Sequence, residues 1–206
     1  MIQKGIMEKL RNNKNLAVVL FIVFLAVEAV CTFIAFSTGG LISLLIDVAL
    51  VVLIILGYFV GGFENVSKLA LLGFMAYKLI STTYDVCALT NFRDGLDWFL
   101  ILAYVCEALA GIAVIAIIVL LVVKYVTNNN QFNNIIILLV VVTGCLLAAY
   151  NLFFAIGYFT YDNTTEGVSS LFKIVSPVVL ACAFVASFDR ANLQFVEAKE
   201  EKKESE

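Results

Sequence analysis

The chain contains no histidine. That removes the HExxH metal site and the Ser-His-Asp triad from consideration. Charge is scarce: 14% of residues are charged and 63% are hydrophobic. A soluble domain holds about 25% charged residues and about 45–50% apolar ones. Proline occurs once, at Pro177. Lying inside an apolar stretch, it is expected to kink a helix and free a carbonyl near Lys173. The five cysteines, at 31, 87, 106, 145 and 182, show no CxxC spacing and read as small buried hydrophobes. There is no arginine ladder of a voltage sensor and no potassium-filter motif. Tyr84-Asp85 looks like half of an intramembrane aspartyl protease site, but the second-helix Gly-x-Gly-Asp is missing. Asp94-Gly95 looks like the start of an alcohol phosphatidyltransferase motif, and its later residues are missing. No catalytic residue, metal site or cofactor is expected, nor a nucleic-acid partner.

What the chain does have is six long apolar stretches, at 16–37, 41–62, 66–90, 98–123, 134–160 and 168–189. Each is long enough to cross a hydrocarbon core of about 30 Å as a helix. The expected fold is an all-α bundle of six transmembrane helices in a lipid bilayer, covering 16–190. A basic, interfacial segment (1–15) precedes it and a charged tail (191–206) follows. Across 206 residues no nucleotide-binding domain fits beside six spans. The first stretch follows Lys4, Lys9, Arg11 and Lys14 as a signal peptide would. Its apolar core is longer than a signal h-region of about 7–15 residues, so it reads as an uncleaved helix.

The short loops set the orientation. Lys/Arg are gathered in the N-terminal segment, with Lys68 and Lys124 near the second and fourth turns. The loops on the other side carry Arg93 against Asp94 and Asp97, then Asp162 and Glu166. The positive-inside rule places both termini in the cytoplasm of a cell-membrane protein. Trp98 and Tyr161 fall at the outer interface and Tyr125 at the inner one, as aromatic belts do. The net charge of −3 says little, because the charges occupy separate compartments.

Most spans hold an ionisable residue where water is scarce: Glu28, Asp47, Lys78, Asp85, Glu107 and Lys173. A charge at mid-bilayer costs at least about 2.5 kcal/mol, which makes each one a functional suspect. Counting from the outer ends, Asp47, Asp85 and Lys173 lie about 8–9 Å deep. Glu28, Glu107 and Asn151 lie about 14–15 Å deep and Lys78 near 18 Å. The inner halves are nearly free of charge, so a polar pocket opening outward over a dry apolar plug is expected. Spacing supports this. Lys78, Ser81, Thr82 and Asp85 form one helical stripe, and Glu28 shares a face with Cys31 and Thr32. Gly144, Ala148, Asn151 and Ala155 line one side of the fifth span, where small residues admit a close neighbour and Asn can bond across it.

Four interior carboxylates face two lysines. The imbalance favours a cationic or amine-bearing ligand or a bound ion; a carboxylate kept protonated favours a proton-coupled step instead. Candidate ligand-binding residues are Glu28, Lys78, Asp85 and Glu107, with Asp47, Asn151 and Lys173 behind them. A compact ion-pair core of Glu28, Glu107 and Lys78 gives the same pattern, and Asp47 and Lys173 lie shallow enough to snorkel. In length and span number the chain resembles the substrate-binding subunits of energy-coupling-factor importers, although its first span lacks their small-x-x-x-small alanine pair. Glu28-Ala29 with Glu107-Ala108, and Gly57-Tyr58-Phe59 with Gly157-Tyr158-Phe159, hint at two inverted halves. The expected function is binding or transport of a small polar solute. The rival is an accessory or assembly subunit, or a homo-oligomer, whose charges pair with partner helices.

Overall fold

Away from water an apolar run must satisfy its own backbone, and a helix does so within one segment. The computed structural model describes residues 14–60, 64–88, 97–127 and 131–188, and among these the chain is helix and short turns with no strand. In chain order the helices are α1 (Lys14–Ile34), α2 (Thr38–Phe59), α3 (Glu64–Ala88), α4 (Trp98–Thr127), α5 (Asn133–Thr160), α6 (Thr164–Lys173) and α7 (Val175–Phe188). The expected N-terminal segment and charged tail lie outside the described residues.

Five stretches are long and apolar enough to cross a membrane: Asn15–Ile34, Thr38–Gly57, Trp98–Thr127, Asn133–Thr160 and Thr164–Ala186. The last takes in both α6 and α7. Helix α3 carries a shorter apolar stretch, Leu69–Ile80. The last span is interrupted at Ile174, where the helical hydrogen bonding lapses while the backbone keeps helical dihedrals, φ −59° and ψ −35°. Pro177 has no N–H for the Lys173 carbonyl, and the Ile174 N–H turns back to the Leu171 carbonyl at 3.3 Å. Helix α3 is unbroken, so the two halves differ at the position where a repeat would align them.

Successive helices pack side by side, and α6 and α7 return to α1, which closes a ring. Packing of α1 against α7 is antiparallel: Phe21 meets Phe184, while Glu28 meets Ser176 one to two turns further on. The interior of one end is mostly apolar, with Lys124 and Asn133 the buried polar residues at its rim. Phe21, Phe24, Val51, Ile54, Phe74, Ile117, Leu121, Ile136 and Phe184 are all buried there. Edge-on ring contacts run from Phe21 to Phe184 to Phe74 to Phe24, tying α1, α3 and α7 together. This dry end is the one from which α1 starts. It contains a cavity of about 10 Å³ lined by Leu71, Ile117 and Val140 among others, whose apolar walls offer a water no partners.

Helix termini shift the depths counted from the sequence. Ser37 caps α2, its Oγ accepting from the Gly40 N–H at 3.0 Å, so the helix begins at Thr38. Asp47 therefore lies about 13–14 Å along its helix rather than 8–9 Å. Lys78 lies about 15 Å from the end of α3, level with it. Helix α4 runs on to Thr127 and buries Lys124, which the sequence had placed in a loop. Helix α5 ends in a Schellman turn. Asp162 takes φ 57°, and the Asn163 N–H reaches the Tyr158 carbonyl at 2.9 Å. Beside it the Tyr161 hydroxyl donates to Asp97, which pushes the phenol's pKa up, and Trp98 and Tyr161 are exposed together at that end.

Candidate functional site

The buried positions of α1 are Ala17, Phe21, Phe24 and Cys31, and Glu28 completes their alternating spacing of four and three. That spacing keeps one seam of a helix facing its neighbours. The same seam runs through Asp47, Val51 and Ile54 of α2. In α3 it runs through Ala70, Phe74 and Lys78. In α4 it runs Ala103, Glu107, Ala110, Val114, Ile117, Leu121, Lys124. Ring and aliphatic residues fill most of the seam at the dry end, Lys124 excepted, and Glu28, Asp47, Lys78 and Glu107 occupy it toward the other.

At the boundary sits an ion pair. Lys78 Nζ lies 3.0 Å from both Asp47 carboxylate oxygens. Three rings surround the ammonium, with centroids 5.7 Å away for Phe24, 5.2 Å for Phe74 and 5.3 Å for Tyr77. A desolvated cation gains about 2 kcal/mol from such a face. Asp47 is 1% exposed and does not snorkel, while Lys78 is 26% exposed. The lipid-facing side of α3 is marked by Leu69, Ala76 and Ile80, all exposed. Lys78 lies two residues, or about 200° of helical turn, from Ala76, so it stands on the inward side of α3. Tyr77 adds a second tie between α2 and α3, its hydroxyl donating to Ser43 Oγ at 2.7 Å.

Above the pair, α1 meets the interrupted last span through polar groups. Ser176 Oγ, in the first turn of α7, donates to Glu28 Oε1. The N-terminus of α7 favours the carboxylate electrostatically as well. Three residues along α1, the Cys31 thiol donates to the Ser169 carbonyl at 3.6 Å, and Ser169 Oγ donates to the Cys31 carbonyl at 3.3 Å. Thr32 and Ser170 are buried in the same seam. Lys173 follows Ser169 and Ser170 at helical spacing and is half-buried on that inward side.

Glu28, Asp47, Lys78 and Lys173 are thus brought together. Lys78 pairs with Asp47. Glu107 is 3% exposed and faces inward on α4. Asn151 does not bond across to a neighbouring helix; its Nδ2 donates to the Leu147 carbonyl of its own helix at 2.8 Å. Asp85 lies in the last turns of α3, whose side chains are outside the described residues. Sequence reasoning missed Lys124, 4% exposed at the dry end. Its signal was present: it lies seven residues past Ile117 and three past Leu121, on the seam that Glu107 begins. It also missed the ring cage around Lys78, because Phe24 and Phe74 read as ordinary core. Among the described residues no group of acids and cysteines is placed to hold a metal ion. No known protein family, curated protein or solved structure matches the chain.

Proposed function

We propose that this is a six-span protein of the cell membrane, with both termini cytoplasmic, that binds or carries a small polar solute. The pocket lies in the outer half of the bundle among Glu28, Asp47, Lys78 and Glu107. Lys173 stands toward its mouth, and the Phe24 and Phe74 rings form its floor. One observation carries the reading: Glu28, Asp47, Lys78, Glu107 and Lys173 all lie on the inward-facing sides of their helices. An accessory subunit that recruits a partner helix through intramembrane charge would present that charge to lipid, where an unpaired charge is costly. A solute pocket needs the opposite arrangement, with charges turned inward and water or ligand to solvate them.

Accessibility tests it. In a cysteine-free background, Glu28→Cys should react in intact cells with a membrane-impermeant thiosulfonate, although it lies well inside the bilayer. Ala183→Cys, at the dry end, should not react. An unreactive Glu28→Cys, or equal reaction at both positions, would count against an outward-opening pocket.

A further inference from the structure

We draw no further inference here: the strongest candidate, the side-chain cluster at the interruption of the last span, where the Ile174 N–H turns to the Leu171 carbonyl and Pro177 offers none to Lys173 beside the Glu28 carboxylate held by Ser176, belongs to the pocket already proposed, and nothing among the described residues shows an opening through which a cation reaches it.

Discussion

Asp47 gives up its water on folding, and only the Lys78 ammonium and the polar wall around it compensate. Breaking a buried pair costs about 3–5 kcal/mol, whereas replacing both members with apolar residues is often neutral. The two halves of this pair are not equivalent. Lys78→Ala strands a covered carboxylate and should fall near the upper figure. Asp47→Ala leaves a lysine that is 26% exposed and should fall near the lower one. The Asp47→Leu/Lys78→Met double variant should return close to the wild type. Reversible unfolding in mixed micelles measures all three, and a double variant no more stable than the singles would dismiss the pairing. Both residues were legible as suspects, because charge inside an apolar run stands out. Their partnership was not. Counting from the ends of the apolar runs set them about 9 Å apart in depth. The Ser37 cap and the true end of α3 bring them level.

Helix α5 meets α7 closely at one place. A Cβ on Gly144 would lie 2.8 Å from the Ala181 Cβ and 3.0 Å from the Pro177 carbonyl oxygen. The backbone atom cannot retreat without moving the helix. Gly144→Ala should therefore cost about 1–3 kcal/mol by forcing the two helices apart. Adding Ala181→Gly should recover part of it, since the methyl responsible for the closer contact is gone. Thermal unfolding of the single and double variants decides this, and an unchanged Gly144→Ala midpoint would mean the contact is not tight. The small-residue side of α5 was readable from spacing alone, and so was a disturbance at Pro177. The contacts on either side of it, Ser176 with Glu28 and Ser169 with Cys31, were not readable, because only the assembled ring supplies them.

At the scale of the whole molecule, the six apolar runs and their inward seams were written in the sequence, since spacing of three and four residues needs no knowledge of neighbours. Loop charge predicts which side of the bilayer each end occupies, and labelling measures it. Cysteines at Thr38 and Asn163 should react with impermeant reagent outside intact cells, and one at Asn129 should react only after permeabilisation. Reaction at Asn129 in intact cells would reject the orientation. The seam between α1 and the last span has a consequence for synthesis. Its bonds join residues 138 and 148 positions apart in the chain. At roughly 5–20 residues per second, Glu28 waits about 7–30 s for Ser176 to be made. Through that interval the first helix sits in the membrane with its carboxylate uncovered, and a ribosome that stalls before residue 164 releases a bundle with an open side. The nascent chain thus carries its own mark of incompleteness, erased only when the final span arrives.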